Sequence, residues 1–193
     1  NVTIQNSILK ANRGSLRFTS AGQSLLQIKD NSLFPVSAAA GKGIEFNDSK
    51  ITDTEITGNQ VVLTSTIATA YGMEFTGGPL VRTNFRDNTV RLSVNSNSLG
   101  IGVLLSGSDW SGSRFSKNVV TGFRTGLSLG LLDTVTIEEN QLIIGTATID
   151  GASRAIVQSG IQNDVSIRQN FISGFREGME LVGASTSYGI RVV

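Results

Sequence analysis

The sequence contains no histidine and no cysteine among its 193 residues. Without cysteine, the chain can form no disulfide, no thiolate nucleophile and no cysteine metal site. Without histidine, it can form no Ser-His or Cys-His catalytic pair and no imidazole zinc site. Any catalysis by this chain would therefore have to use carboxylates, Lys, Arg, Tyr, Ser or Thr.

Charge and long apolar runs are also scarce. Charged residues make up 16% of the chain, the net charge is +1 and the basic residues are scattered singly, which disfavours a nucleic-acid interface. No apolar run approaches the roughly 18 residues that a membrane span needs. Apolar residues make up 39% and glycine contributes 22 residues, so we expect one folded domain over residues 1–193 rather than a disordered chain or a coiled coil.

An apolar–x–x–Asn pattern recurs along the whole chain. Its asparagines follow one another at nearly constant intervals, with one shorter interval before Asn140: Asn31, Asn59, Asn88, Asn118, Asn140 and Asn170. Asn6 is assigned to the head of the series with an altered lead-in, because Ile4 is only two positions before it. Since asparagine tolerates left-handed backbone and can bond to a neighbouring chain segment, the pattern predicts an internal asparagine ladder at a tight turn.

A second pattern is a small residue, usually glycine, followed by a short alternating pair, as in GIEF (43–46), GMEF (72–75) and GMEL (178–181). From the last apolar residue of this pair to the next apolar–x–x–Asn, the spacing is the same in five repeats, one of them Val157 to Ile167, and shorter from Leu129 to Ile137. Such a constant spacing predicts that successive repeats stack in register. Short stretches of period two without helical periodicity predict an all-β solenoid in which stacking, at about 4.8 Å per repeat, builds one long core.

The number of residues from each asparagine to the next glycine varies, and it is largest from Asn140 to Ala155, where alanine replaces the glycine. One corner of the repeat is therefore expected to carry insertions, at 32–42, 60–71, 89–101 and 141–154. Parts of these insertions are rich in apolar and β-branched residues, namely 61–69, 90–94 and 142–149. Such residues favour extra edge strands or hairpins, which we expect to form an interaction face.

Together the two patterns, from Val2 to Val192, resemble the right-handed parallel β-helix repeat of the pectate-lyase-like superfamily. The resemblance implies an all-β, right-handed parallel β-helix of about seven coils. That superfamily includes polysaccharide lyases, galacturonases, alginate epimerases, phage tailspikes and non-catalytic surface proteins, so the likeness does not select a function. The Gly-His-Gly and Asp-Pro-His-Glu motifs of the galacturonase-like and epimerase members are absent with histidine, and no matching calcium-binding aspartate cluster is found.

The outward position of the glycine-led strand carries two glutamates, Glu45 and Glu74, on successive repeats. Two carboxylates about 4.8 Å apart could form a retaining glycosidase pair, share a proton or bind calcium, the one cofactor that this pattern admits. The favoured interpretation is a charge ladder, because Arg17 is expected beside Glu45, and Arg191 is expected beside Glu180. Opposite charges on adjacent repeats stabilise register.

Other charged positions support the same interpretation. Asp53 is expected to face Arg82, Glu138 to adjoin Arg168, and the track of Asp87, Lys117 and Glu139 alternates in sign. Alternatively, Arg82 or Arg114 would hold an acidic sugar beside the glutamates. Trp110 follows Leu105 by the same count that separates Ile51 from Phe46, which favours a core position over an exposed sugar-stacking platform.

Two functions are compatible with these patterns. We expect an extracellular or cell-surface β-helix with a structural or adhesive role and no catalytic activity, whose partners are a polysaccharide or further copies of the chain, assembled end to end or laterally. The alternative is a lyase or tailspike-like glycosidase acting on an acidic glycan; calcium-dependent sugar binding without turnover is a third, weaker option. The chain starts at Asn1 and both ends lie in strand-like segments, so we expect a processed chain or part of a longer chain or assembly.

Overall fold

The computed structural model describes residues 2–11, 14–19, 22–35, 41–47, 50–64, 70–93, 100–144, 152–160, 162–182, 187–188 and 191–192. Every regular element within these ranges is a β-strand. The strands form three sheets in which the pairing is parallel. Over its described residues the chain is therefore an all-β protein.

The first sheet contains the strands that lead into the asparagines. In sheet order, which is also chain order, they are Val2–Gln5, Leu26–Lys29, Glu55–Thr57, Asn84–Arg86, Arg114–Ser116, Thr136–Glu138, Ser166–Arg168 and Arg191–Val192. The apolar landmarks of the repeat are consecutive register partners in this sheet: Ile28, Ile56, Phe85, Phe115, Ile137 and Ile167. The register predicted from the asparagine pattern is thus confirmed.

The second sheet follows the asparagines and the third sheet contains the glycine-led strands. The second comprises Ile8–Ala11, Ser32–Pro35, Gln60–Leu63, Thr89–Leu92, Val119–Thr121, Gln141–Ile143 and Phe171–Ser173. The main strands of the third are Gly14–Thr19, Lys42–Asn47, Tyr71–Thr76, Ile101–Ser111, Thr125–Asp133, Arg154–Ser159 and Glu177–Val182. Short strands at Gln23–Ser24, Ile51–Thr52, Leu80–Val81, Gln162–Asn163 and Ser187–Tyr188 extend it.

The chain visits the first, second and third sheets in turn and then returns to the first, beside its previous strand. Each strand thus pairs with the corresponding strands of the preceding and following repeats, which makes all the pairings parallel. This topology is compatible with a parallel β-helix. Equivalent residues lie above one another, so a property that recurs at one repeat position becomes a continuous track on the protein.

The core is built from such tracks of apolar side chains. Phe18 stacks on Phe46 with ring centroids 4.3 Å apart, and Phe46 stacks on Phe75 at 5.0 Å. Phe85 meets Phe75 edge-on at 5.1 Å and Trp110 edge-on at 5.9 Å. Offset stacking and edge-to-face contacts are the preferred aromatic geometries. The aromatic track therefore contributes specific ring packing to the core as well as buried apolar area.

Glycine recurs at the start of the third sheet because the corner has no space for a side chain. A Cβ atom at Gly72 would lie 2.0 Å from Cγ1 of Val90 and 2.5 Å from the carbonyl oxygen of Gly102. Gly43 and Gly102 face the same kind of obstruction. The glycine-led landmark of the sequence therefore marks a close contact between the third sheet and valine side chains of the second sheet.

One predicted landmark, Val157, is wrong by one position. Val157 is the partner of Ser128 on the outward track, and Gln158 is the partner of Leu129. The inward position therefore belongs to Gln158, which is 1% exposed and whose Nε2 donates a hydrogen bond of 2.9 Å to the carbonyl oxygen of Gly130. Because a polar residue stands where the pattern has an apolar one, the spacing counted back from Ile167 identified the wrong landmark.

The predicted extra strands do not appear in the described parts of the inserted loops. Residues 61–63, 90–92 and 142–143 belong to regular strands of the second sheet. Their alternating apolar side chains, such as Val61 and Leu63, are fully buried and form the core wall opposite the glycines. The rest of the predicted interaction face, at 36–40, 65–69, 94–99 and 145–151, lies outside the described residues.

Arg191 is also displaced from its predicted place. It lies in the first sheet as the partner of Ser166, not on the third sheet beside Glu180. Register partners in this protein are separated by a whole repeat, as Ser166 and Arg191 are, whereas Glu180 and Arg191 are less than half a repeat apart in the sequence. The carboxylate of Glu180 instead forms an ion pair with Arg154.

Candidate functional site

The asparagine ladder is present from Asn31 to Asn170. At each step the Oδ1 atom of one asparagine accepts two hydrogen bonds from the asparagine of the preceding repeat, one from its backbone N–H and one from its Nδ2. Between Asn59 and Asn88 both of these bonds are 3.0 Å long. The side chains from Asn31 to Asn140 are about 1% exposed, so the ladder is internal, as predicted.

Each ladder amide also donates to the backbone of the preceding repeat. Nδ2 of Asn88 donates to the carbonyl oxygen of Ile56 at 2.8 Å, and Nδ2 of Asn118 to that of Phe85 at 3.1 Å. An asparagine side chain offers two acceptor sites and two donors. Inside this corner all four are used, which explains why the corner repeatedly selects asparagine.

Two details of the predicted ladder are wrong. Asn6 aligns with Asp30, and Ser7 occupies the ladder position, where its backbone N–H donates to Oδ1 of Asn31 at 3.0 Å. The left-handed residue of the turn is the one before each asparagine, for example Asp30 with φ 53° and Lys117 with φ 56°. The asparagine is therefore selected by its hydrogen bonds and not by its tolerance of positive φ.

Glu45 and Glu74 lie side by side on the third sheet as direct register partners. They are only 5% and 7% exposed. Nζ of Lys42 contacts both carboxylates, and its distance to Oε1 of Glu45 is 2.6 Å. Arg17 places its Nε 3.0 Å from the other oxygen of Glu45, which confirms the predicted Arg17–Glu45 contact and adds a lysine that was not predicted.

Lys42 is the centre of this cluster, which we call the glutamate cluster (Arg17, Lys42, Glu45, Glu74). Burial alone would lower the pKa of Lys42, but its hydrogen bonds to Glu45 and Glu74 and the charges of both carboxylates raise that pKa above 10.5. The ammonium group of Lys42, together with the guanidinium of Arg17, compensates the charges of the two carboxylates. In this state the cluster is a closed network of ion pairs, with formal charges that balance.

Asp53 and Arg82 form the predicted pair between adjacent repeats. Nε and Nη2 of Arg82 donate to the two carboxylate oxygens of Asp53 at 2.6 and 2.8 Å. The hydrogen bonds from Arg82 lower the pKa of Asp53 below 3.8. Both side chains are exposed, and such fork-shaped pairs between planar groups mainly fix geometry.

Arg114 lies on the first sheet and contacts Glu138 of the next repeat. Arg168 approaches the same carboxylate from the other side, with its Nε 2.6 Å from Oε2 of Glu138, so the predicted Glu138–Arg168 neighbourhood is confirmed. The Glu138 side chain is only 2% exposed, whereas both arginines are about half exposed. A buried anion between two cations is the arrangement that a desolvated carboxylate needs.

The candidate residues do not converge on one cleft within the described structure. The glutamates lie on the third sheet, Arg114 lies on the first sheet, and Asp53 and Arg82 lie at the turn that joins the third sheet to the first. Trp110 is 1% exposed, with Leu80 and Leu132 as register partners. It is a core residue, as its spacing indicates, and its ring does not present a stacking surface.

Two structural features were not anticipated from the sequence. One is Lys42 itself, whose only signal was its position three before Glu45. The other is a short track of buried hydroxyl side chains, Thr54, Thr83 and Ser113, at the turn after the third sheet. Oγ of Ser113 accepts a bond of 2.9 Å from the backbone N–H of Thr83 and donates to the carbonyl of Ser111, so this track repeats the ladder chemistry on a smaller scale.

Neither a metal centre nor a membrane segment is identified in the described ranges. No group of three or more acidic side chains there is placed to hold a metal ion, and the calcium expectation therefore stays a prediction. Within the same ranges, the structure has no helix of the length and apolarity needed to cross a bilayer.

No protein-family model matches the chain, and no curated protein is significantly similar to it in sequence.

Proposed function

We propose that the chain is a right-handed parallel β-helix of about seven coils, of the pectate-lyase-like type, and that it serves as an extracellular or cell-surface structural or adhesive element without catalytic activity. The three parallel sheets and the repeat-to-repeat pairing support the helix. The right hand is supported by the general rule that crossover connections between parallel strands of one sheet are right-handed. Residues 1–193 would form one domain with this fold.

The observation that carries this proposal is that the charged candidates are already paired. Glu45 and Glu74 contact Lys42, Asp53 contacts Arg82, and Arg114 contacts Glu138. A general acid or a sugar-binding arginine needs a free face toward its substrate. Paired charges on adjacent repeats instead stabilise the register of the sheets, which is what a structural element requires.

Assembly is supported by apolar side chains at both ends of the stack of strands. Ile8 is 72% exposed in the outermost described strand of the second sheet, and Phe171 is 58% exposed in the strand at the opposite edge of that sheet. Leu181, in the last main strand of the third sheet, is 52% exposed. Further strands, from other copies or from a longer chain, would cover these groups and pair with the sheet edges. Polysaccharide remains the second proposed partner, through the inserted loops.

One observation favours the alternative of a polysaccharide-cleaving enzyme. Glu45 and Glu74 are adjacent and almost fully buried, and paired carboxylates of this kind carry out acid, base or nucleophile roles in glycosidases. In that case Lys42 would have to release one carboxylate when an acidic glycan binds, with Arg82 or Arg114 steadying the sugar. Calcium would be the cofactor to test.

The test combines electron microscopy with a cleavage screen. The purified full chain is imaged by negative stain, and it is incubated with a panel of acidic and neutral polysaccharides with and without calcium. We expect end-to-end or lateral assemblies and no cleavage. Cleavage that is lost in both Glu45→Gln and Glu74→Gln, but kept in the control Glu55→Gln, would replace the structural proposal with the enzymatic one. Glu55 suits as control because its carboxylate accepts a bond from Asn84 on the first sheet.

A further inference from the structure

The third sheet contains a recess where the repeat is irregular. Six residues line it, Asp109, Ser111, Leu131, Leu132, Asp133 and Asn163, around a volume of about 390 Å³. Ligand sites in proteins are commonly clefts of about 300–1,000 Å³. The recess lies at the end of the third sheet that leads toward the first sheet, away from the glutamate cluster.

The recess exists because one repeat is shorter than its neighbours at this place. Leu105, Leu129 and Gln158 are register partners, and so are Trp110, Leu132 and Gln162. Between these two points the chain advances by five positions, then three, then four. The middle repeat therefore takes a shorter path, and the repeats on either side stand out as walls. The same shortening contributes to the reduced spacing from Leu129 to Ile137.

The residues that line the recess present oxygen atoms and negative charge. Oδ1 of Asp133 accepts hydrogen bonds from Nδ2 of Asn163 at 2.8 Å and from Oγ1 of Thr134 at 3.3 Å. These bonds orient the carboxylate but leave its charge uncompensated. For Asp109 and Asp133 the described part of the chain contains no ion pair with lysine or arginine, in contrast to Glu45, Asp53 and Glu138.

The floor of the recess is apolar. Leu131 is 39% exposed, which is unusual among the large apolar residues of this sheet. Its position depends on Gly160 of the next repeat, which has φ 108°, and a Cβ atom there would lie 2.6 Å from Cδ2 of Leu131. The recess thus combines two acidic side chains, Asp109 and Asp133, with an exposed apolar side chain, Leu131.

We propose that this recess binds a basic side chain, a lysine or an arginine, of a protein partner. The cationic head would lie between Asp109 and Asp133, with Ser111 and the Oδ1 atom of Asn163 as further acceptors. The methylene stem would cover Leu131, because long basic side chains bury their stems on apolar surface while the charge stays in contact with polar groups. This inference goes beyond the proposed structural role and is independent of it.

The test is an NMR titration of the full chain labelled with ¹⁵N. The probes are Nα-acetyl-lysine methylamide and Nα-acetyl-arginine methylamide, and the matched control is the norleucine derivative, which has a stem but no charge. We expect saturable shifts of the backbone amides of residues 131–133 and of the Asn163 side-chain amide with at least one basic probe. Binding should weaken as ionic strength rises, since the recess is open to solvent.

Two variants provide a second test of the proposed binding. The double variant Asp109→Asn with Asp133→Asn keeps the shape of both side chains and should weaken binding by about tenfold or more, equivalent to about 1.4 kcal/mol. Asp87→Asn, at the turn between the first and second sheets, should leave the affinity for the probe unchanged within about twofold. Absence of saturable shifts, equal binding by the norleucine probe, undiminished binding by the double variant, or shifts with calcium chloride alone would each overturn the proposal. An unchanged amide spectrum of the free variants shows that the fold is retained.

Discussion

Replacing Asn88 by alanine is the sharpest test of the asparagine ladder. Oδ1 of Asn88 accepts the backbone N–H and the Nδ2 of Asn59, both at 3.0 Å. Alanine leaves the buried backbone N–H of Asn59 without an acceptor, which costs about 1–3 kcal/mol, and removes one bond of about 0.5–1.5 kcal/mol from Nδ2 of Asn59, which keeps the carbonyl oxygens of Ile28 and Thr57. The acceptors of the Asn88 side-chain amide are affected less, because Oδ1 of Asn118 still accepts the backbone N–H of residue 88. The expected loss in the free energy of unfolding is therefore about 2–4 kcal/mol.

The assay is urea unfolding, monitored by the fluorescence of Trp110, which is buried in the core. Stacked repeats can open locally, so hydrogen exchange of the amides of residues 59–61 gives the local free energy as an independent value. Asn84→Ala is the matched control, since this residue lies on the outer face with a single hydrogen bond of 2.8 Å to Glu55. It should cost less than about 1 kcal/mol.

A second ladder variant separates hydrogen bonding from side-chain shape. Asn88→Asp keeps the size of the side chain but places a carboxylate against the carbonyl oxygen of Ile56 and Oδ1 of Asn118. Burial and these acceptors should raise the pKa of the new carboxyl group above its unfolded value. The folded state then binds the proton more tightly than the unfolded state, so the stability of this variant relative to the parent should increase as pH falls below about 7 toward 4. Equal costs for Asn88→Ala and Asn84→Ala, or no such pH dependence, would refute the ladder argument.

Three further predictions concern the corner glycines and the ion pairs. Gly72→Ala should destabilise the protein by about 2–4 kcal/mol through the clash at 2.0 Å, whereas Gly178→Ala, with nothing within 4 Å, should be neutral or slightly stabilising; thermal unfolding compares them, and equal effects would exclude the packing explanation. Lys42→Met should cost about 3 kcal/mol because it removes the cation that contacts the buried carboxylate of Glu74 and leaves Glu45 with Arg17 alone. Since the pKa of Lys42 is raised above 10.5, the lysine's contribution is complete below pH 10.5 and should fade at higher pH, so urea unfolding in a series that extends above pH 10.5 should bring parent and variant together; a constant gap would contradict this. Asp53→Asn should change stability little, because the pair with Arg82 is exposed, and the small effect should vanish as acid titrates Asp53 through its lowered pKa; a large loss at pH 7 would show that the pair is more than a surface contact.

The repeat register could be predicted from the sequence because each repeat contains recurring landmark residues at nearly fixed spacing. Where an apolar residue or an asparagine recurs at a fixed count, as from Ile56 to Phe85 or from Asn59 to Asn88, the structure pairs the two residues. The predictions failed where a landmark had changed type. Gln158 stands in place of an apolar residue and Ser7 in place of a ladder asparagine, and in both cases the pattern points to an adjacent residue of the expected type, Val157 or Asn6.

The partners of the charged residues were only half predictable, for a geometric reason. Register places side chains of the same track next to each other, and this was enough to find Arg82 opposite Asp53. Lys42 reaches its partners diagonally, across the irregular start of the third sheet where Gly43 turns toward the core. Long flexible side chains can choose among several tracks, so a count along the sequence does not decide which one they contact.

The irregular repeat is where the physical constraints on this chain are weakest. A ladder asparagine or a corner glycine is held on two sides by its neighbours, and a change there disturbs three repeats at once. The shortened path between Leu129 and Leu132 changes only the outside of the third sheet and leaves the core partners of both residues in register. Selection for binding can therefore act on Asp109, Asp133 and Leu131 without cost to the stack. For that reason a ligand-binding function of this chain is best sought at its departures from the repeat.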